Sequence, residues 1–499
     1  MNTSNIDPTN SIHRSPLLRA FLLIALGFAS FALLPIAQAV SPAPDGAYAN
    51  RNTAEGDSAL LNLSSGTTNN TAIGYYALLS DTTGDGNTAV GAFALDSTTT
   101  GTANVGIGVS ALAFNTTGFY NTAVGYGTLF DNTTGAWNTA TGFEALSSNT
   151  TGSENTANGA DALYYNTTGS NNTANGFQTL NSNTTGYLNT AVGTQALTSN
   201  TTGYNNTANG AEALLWNTSG YENSATGVSA LFNNTGGWFN TANGSEALYA
   251  NTTGAGNTAT GKQALYFNTI GFSNTADGVN ALHSNTTAGS NTAVGDAALY
   301  SNTTGQVNTA IGRNALYNNT TGDWNTGSGV FAINGNTTGF ENTGDGIATL
   351  YNNTAGYENT AVGGYALFRN TTGHKNIAMG YGAGDLLTTG DNNIVIGSRG
   401  TAGESNTIRI GDQAVHSAAF VAGINGVDKS TGKSVFVDAA GQLGTADVNS
   451  LLWPKGSILQ MQPGSVPPAG FTKIGTEQTK LYDHSGQPSQ VIWDIYQKN

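Results

Sequence analysis

Apolar and polar positions along the chain recur with a period of 17 residues, as in NTAVGYGTLFDNTTGAW at positions 121–137 and the lines that follow it. The Gly of the NTAxG segment stands at every seventeenth position from Gly74 to Gly397. Four residues after it stands Leu, replaced once by Ile, from Leu78 to Leu367. A strict period with one large apolar position predicts a solenoid, in which each repeat is one coil that buries its apolar side only against its neighbours.

The length and composition of the repeat favour β coils over helical ones. A helical repeat needs about 33 residues for two helices, and Gly, Asn and Thr are poor helix formers. Short segments such as TAVG and TLFD predict strands, separated by Asn and Gly that tolerate tight corners. We therefore expect an all-β fold, a parallel β-solenoid of 17-residue coils. Because one thin coil encloses little core, we also expect several chains side by side, assembled as a homotrimer.

Four positions of the repeat predict a structural ladder, which the coil at 121–137 illustrates. Leu129 is expected to fill the core, and Gly125, like Gly135, to permit a bend. Asn121 and Asn132 are expected to hold the corners, with amides that hydrogen-bond to the coils above and below. Stacking at the strand spacing of ~4.8 Å makes the array a rod.

Aromatic residues occupy two variable, outward positions of the repeat. The first set stands eleven or twelve residues after the reference Gly and is the candidate ligand-binding column: Phe119, Trp137, Tyr187, Tyr204, Tyr221, Trp238, Phe272, Trp324, Phe340 and Tyr357. The second set directly follows the core Leu: Phe130, Tyr164, Phe232, Tyr249, Tyr266, Tyr300, Tyr317, Tyr351 and Phe368. Exposed rings of this kind stack on sugar rings or on another surface, and they also serve in subunit packing alone.

The chain is acidic and poor in charge, with a net charge of −15 and only 9% charged residues. Its 15 Lys and Arg residues form no basic stripe, so we expect no nucleic-acid partner. Cysteine is absent, so cohesion depends on packing and hydrogen bonds.

The two ends of the chain depart from the repeat. An apolar run near positions 20–34 follows basic residues and ends in Ala37-Gln38-Ala39, which predicts an export signal over 1–39; a single membrane anchor is the alternative. After cleavage no membrane span is expected, and the protein is secreted or held at the cell surface. The rest divides into a linker (40–51), the solenoid array (52–411), a junction (412–446) and a C-terminal β module (447–499).

The segments NNIVIG and SNTIRIG, whose Gly residues Gly397 and Gly411 lie 14 residues apart, resemble the head repeats of YadA-like trimeric autotransporter adhesins. The 17-residue line is also similar to arrays of exported tail-fibre-like proteins that often end in an endosialidase-type intramolecular chaperone. The resemblance implies a left-handed β-roll assembled as a trimer. Residues 447–499 are too short for that chaperone, so self-cleavage is not implied.

Candidate chemistry is sparse. The five His residues share no metal-ligand spacing, and we expect neither a metal nor a cofactor. Glu144, Asp161, Glu212 and Glu246 occupy one outward position of different coils, which is typical of solvated charges rather than of a catalytic carboxylate pair. The sequence therefore predicts a non-enzymatic fibrous protein for cell-surface adhesion or an extracellular rod, with a glycan or host surface as possible ligand. The alternative is a carbohydrate-binding or polysaccharide-degrading fibre of the phage tail-spike type.

Overall fold

The computed structural model describes residues 49–412, 414–418, 435–437, 443–445, 458–467, 470–482 and 488–498. The predicted signal over 1–39 lies outside these residues. The chain forms two compact units that divide after Ile410, and each is described by itself.

The first unit contains one three-residue strand in each coil, preceded by a 3-10 turn at Ala49–Arg51. The strands are β1 (Thr53–Glu55), β2 (Thr71–Ile73), β3 (Thr88–Val90), β4 (Val105–Ile107), β5 (Thr122–Val124), β6 (Thr139–Thr141), β7 (Thr156–Asn158), β8 (Thr173–Asn175), β9 (Thr190–Val192), β10 (Thr207–Asn209), β11 (Ser224–Thr226), β12 (Thr241–Asn243), β13 (Thr258–Thr260), β14 (Thr275–Asp277), β15 (Thr292–Val294), β16 (Thr309–Ile311), β17 (Thr326–Ser328), β18 (Thr343–Asp345), β19 (Thr360–Val362), β20 (Ile377–Met379), β21 (Ile394–Ile396) and β22 (Ile408–Ile410).

These strands form one continuous parallel sheet in which each coil pairs with the next in register. Ala208 of β10 pairs with Ala225 of β11, and β21 pairs with β22 across the shorter 14-residue spacing. The middle residue of each strand from β1 to β21 is buried, and in most coils it is Ala. The predicted parallel β-solenoid with a 17-residue period is confirmed.

The segment around the core Leu is a turn and not the second strand that TLFD predicted. Leu129 has a φ of +52°, and the Leu or Ile at this position has a positive φ in every coil from Leu60 to Leu367. The turn is still bonded between coils: the Leu146 N–H donates to Ala162 O at 2.9 Å, and the Glu144 N–H donates to Tyr126 O at 2.9 Å. Because its N–H groups bond to both neighbouring coils, the segment keeps its backbone satisfied without strand geometry.

The core is a column of Leu and Ala side chains. Leu129 and Ala123 are fully buried, as are their equivalents along the array. Each buried Leu contributes roughly 1.5–3 kcal/mol relative to an exposed one. Most apolar burial in a coil therefore comes from one Leu and two small residues.

The two recurring glycines serve different purposes. Gly125 has a φ of +141°, and a Cβ there would collide with the Gly142 carbonyl. Gly135 has no such φ, contrary to the bend expected from the sequence; a Cβ there would collide with the Gly152 carbonyl oxygen and meet Asn132 Oδ1 at 2.5 Å. It is required for close approach of neighbouring coils rather than for a left-handed turn.

The described part of the second unit is antiparallel. Strand β23 (Val435–Val437) pairs with β24 (Leu443–Thr445). A three-stranded sheet has β27 (Pro488–Lys498) between β25 (Ile458–Met461) and β26 (Phe471–Tyr482). Across this sheet Lys473 forms an ion pair with the buried Asp494.

Candidate functional site

The outward side chains are held by two buried amide ladders. In the first, the Asn206 N–H and Nδ2 both donate to Asn189 Oδ1 at 3.1 Å, and Nδ2 also donates to Gly220 O at 2.8 Å. Oδ1 of Asn206 in turn accepts from Asn223. The donors and the acceptor of each Asn side chain in this ladder are hydrogen-bonded. The free-energy cost of removing these amides from water is therefore small.

The second ladder runs from Asn115 to Asn370 along another edge of the coil. Asn132 Nδ2 donates to Asn115 Oδ1 at 2.7 Å and to Gly135 O at 3.0 Å in its own coil. The Asn side chains of both ladders are fully buried or nearly so. Side chains that project from the surface of successive coils are therefore placed at a fixed repeat.

The second ladder has different residues at its two ends. At the start, Asp81 and Thr98 take the Asn position and are fully buried, and among the described residues Asp81 Oδ2 and Thr98 Oγ1 have no hydrogen-bond partner. Burial raises the pKa of Asp81 to about 6, opposed by the Gly84 N–H that donates to its Oδ1. At the other end Leu387 occupies the position after Asn370 and is fully buried.

The first aromatic set forms a stacked column over four successive coils, which we call the outer column: Tyr187, Tyr204, Tyr221 and Trp238. The ring centroids of Tyr187 and Tyr204 lie 5.0 Å apart, those of Tyr204 and Tyr221 4.9 Å, and those of Tyr221 and Trp238 6.1 Å. Interplanar angles are 6° or less. Tyr187 is 43% and Trp238 39% exposed, so the column forms an accessible aromatic strip.

The other members of the first set lie apart from the outer column. Phe119 contacts Trp137 edge to face at 4.7 Å. Phe340 stacks on Tyr357 at 4.8 Å, and Tyr357 stacks on His374, whose Nδ1 lies 2.7 Å from Asp391 Oδ1. Trp324 and Phe272 are exposed and stand outside these stacks. The ten predicted residues thus form separate groups rather than one surface.

The second aromatic set forms a longer stack, which we call the second column: Phe232, Tyr249, Tyr266, His283, Tyr300 and Tyr317. Successive centroids lie 4.9–5.4 Å apart, and all of these rings are half-buried. Sequence reasoning missed His283, although its position directly after Leu282 places it in the same register. Burial lowers the pKa of His283.

A third row of exposed apolar residues directly follows the reference Gly and was also missed. It includes Tyr126 and Phe143, which stack at 5.5 Å with an interplanar angle of 9°. Val109, Phe177 and Val228 lie at the same register in other coils and are 45–54% exposed. The fixed distance from the Gly would have revealed this row.

A shallow groove interrupts the first aromatic register. Ala255 takes the position between Trp238 and Phe272, and Gly256 follows it. The groove has a volume of about 520 Å³ and is lined by Trp238, Phe239, Ala255, Gly256, Ile270 and Phe272, together with Thr253 and Ser273. Its lining contains no charged side chain.

The acidic residues singled out from the sequence are half-buried and distributed along the rod. Glu212 accepts a hydrogen bond from Ser229 Oγ at 3.1 Å, and Glu246 accepts one from Gln263 Nε2 at 2.7 Å. Glu144 and Asp161 lie in successive coils at the same register. Among the described residues, no cluster of three or more His, Asp or Glu is arranged to hold a metal ion.

Comparisons of the chain with protein-family models, with curated proteins and with solved structures give no match. Within the described ranges, no helix has the length and apolar character that a membrane crossing requires.

Proposed function

We propose that this protein is an exported, non-enzymatic fibrous protein that acts in cell-surface adhesion or as an extracellular structural rod. The observation that supports this most directly is the unbroken pair of buried amide ladders, which holds outward side chains at a fixed repeat along the array. Twenty-two strands at a spacing of ~4.8 Å make a rod of roughly 100 Å. Electron microscopy of the protein without residues 1–39 tests this: rods of that length support the proposal, and compact particles refute it.

The assembly that we propose is a homotrimer. The apolar row that includes Tyr126 and Phe143 gives a thin coil exposed surface to bury against other copies. Light scattering coupled to size exclusion on residues 40–499 is expected to give three times the chain mass. A stable monomer would rule out the trimer.

We further propose a relationship to the head repeats of YadA-like trimeric adhesins, with the left-handed coil that this implies. The register between β21 and β22 across 14 residues supports it, since the 14-residue and 17-residue coils join in one sheet. An experimental structure of residues 377–411 within the full chain would decide the handedness of these coils.

A second candidate function, glycan binding, is favoured by the outer column. Parallel, exposed Tyr and Trp rings are suited to stacking against the apolar faces of sugars. Binding on a glycan array that is lost when Tyr204, Tyr221 and Trp238 are replaced by Ala would support it. If the protein binds no glycan on the array, only the structural role is left.

A further inference from the structure

We propose that the groove at Ala255 is a slot for a single hexopyranose ring of a neutral glycan, held between Trp238 and Phe272. This inference rests on the glycan-binding candidate above and assigns it a specific subsite. It differs from binding along the strip of stacked rings. Here the sugar ring takes the place of an aromatic side chain, which the coils on either side carry as Trp238 and Phe272 and which this coil replaces by Ala255.

The position of the slot follows from the stacking of the outer column. Rings of successive coils lie about 5 Å apart and parallel, as Tyr187, Tyr204 and Tyr221 show. Trp238 uses one face on Tyr221, at an angle of 6°. Its other face is directed toward the coil of Ala255, where no ring is present. Two coil spacings, roughly 9.6 Å, separate the Trp238 and Phe272 positions, which is room for one inserted ring.

Neighbouring residues keep the slot open. Phe272 leans away from it, since a Cβ at Gly289 in the next coil would lie 2.8 Å from the Phe272 ring. Gly256 has a φ of +66°, and a Cβ there would meet no atom closer than 3.7 Å. Ile270 takes a position where other coils have Thr, Ser or another small residue, and it adds an apolar wall. Small residues at Ala255, Gly256 and Gly289 thus coincide with the unusual Ile270 at one place.

The chemistry of the lining favours a sugar over an aromatic side chain. Aromatic and aliphatic walls suit the C–H faces of a pyranose, and the exposed hydroxyls of Thr253 and Ser273 suit its hydroxyl groups. An aromatic side chain would use the walls alone. With no charged residue in the lining, the slot matches a neutral rather than an acidic glycan.

Filling the slot with the side chain that other coils carry tests the proposal. Ala255→Tyr places Tyr where Tyr187, Tyr204 and Tyr221 already stand, so the fold accommodates it. Gln306→Tyr is the matched control, because Gln306 has the same register and is exposed, with Gly289 and Asp323 as its neighbours in that register. Ligand-observed NMR on the full chain would use neutral hexasaccharides of glucose, mannose and galactose, and p-cresol as an aromatic probe.

We expect at least one hexasaccharide to bind the wild type and Gln306→Tyr alike, and to bind Ala255→Tyr roughly tenfold more weakly. Saccharide binding that persists in Ala255→Tyr but is lost in Tyr204→Ala overturns the slot and leaves the glycan-binding candidate intact. A third outcome is that p-cresol binds, that no saccharide binds, and that p-cresol binding is lost in Ala255→Tyr. That result assigns the slot to an aromatic side chain of a protein and overturns the glycan assignment. No binding of either probe overturns both the slot and its glycan ligand.

Discussion

Ile333 and Gly344 form a matched pair in the core of neighbouring coils. A Cβ at Gly344 would lie 2.8 Å from Ile333 Cγ1 and 3.2 Å from its Cδ1. At the equivalent pair, a Cβ at Gly327 would lie 3.5 Å from Leu316 Cγ, an ordinary contact. The β-branched Ile333, at a φ of +51°, therefore requires the small residue that faces it.

We expect Gly344→Ala to destabilise its coils by about 1–3 kcal/mol, because the added methyl overpacks the site. The double variant Gly344→Ala with Ile333→Leu should recover most of that loss, since Leu faces Ala at this pair of positions in most coils. Thr349 Oγ1 would lie 2.7 Å from the new Cβ. It can rotate away and donate to the carbonyl of the next coil, as the equivalent Thr128 Oγ1 does to Gly142 O. Amide hydrogen exchange over residues 326–350 measures the local stability.

Gly327→Ala is the control for this pair, and it is expected to change stability little. A Cβ there clears Leu316 and has to displace only the Ala332 carbonyl oxygen, at 3.3 Å, by a few tenths of an ångström, while the unfolded chain loses freedom. Equal destabilisation by both substitutions would contradict the pairing of Ile333 with Gly344.

A second prediction concerns the buried amides. Asn206→Asp removes the two side-chain donations, from Nδ2 to Asn189 Oδ1 and to Gly220 O, and places a carboxylate against both acceptors, while the backbone N–H still donates to Asn189 Oδ1. We expect a loss of about 3 kcal/mol in local stability, seen as faster exchange in coils 189–240. The adjacent Asn205→Asp, at an exposed position, should change exchange little. Similar effects from both variants would show that the ladder does not stabilise the coil.

A third prediction follows from the carboxyl at the start of the second ladder. Because burial raises the pKa of Asp81 from 3.8 to about 6, the folded state favours the protonated form. Its contribution to stability is complete below pH 3.8 and is lost as the pH rises through 6. Asp81→Asn should remove this dependence and stabilise the first coils at pH 7 by about 1–2 kcal/mol after solvent screening is allowed for.

Thermal or denaturant unfolding monitored locally at residues 71–115, at pH 4.5 and pH 7, distinguishes the two proteins. The result that would contradict the prediction is a wild-type N-terminal end that is more stable at pH 7 than at pH 4.5, with no change on Asp81→Asn.

The fourth prediction has the opposite sign. Burial lowers the pKa of His283, whose Nδ1 has no hydrogen-bond partner among the described residues, so the folded state favours the neutral ring. The stability that this gives is present above the ordinary pKa of 6.5 and declines as the pH falls below it. The protection factors of the amides in coils 249–317, which correct the exchange rates for the intrinsic effect of pH, should fall on acidification, and His283→Tyr should abolish that fall. Protection factors independent of pH in the wild type would refute the prediction.

The sequence sufficed for the parallel solenoid, because a 17-residue period with Leu and Asn at constant phase leaves few other folds. It did not predict that Leu129 has a positive φ, since Leu carries no signature of that conformation and tertiary hydrogen bonds select it. The grouping of the aromatic residues required the structure as well. Trp137 and Trp238 share a sequence register to within one residue, but only Trp238 lies on a parallel stack that ends at an open position.

The hydrogen bonds of the Asn206 amide extend only to the coils on either side of it. A whole 17-residue unit could therefore be duplicated or deleted in the interior of the array without disturbing any contact beyond the junction. Gene-level recombination within the repeat would change the reach of the protein in steps of ~4.8 Å, while the fold of every other coil stayed the same.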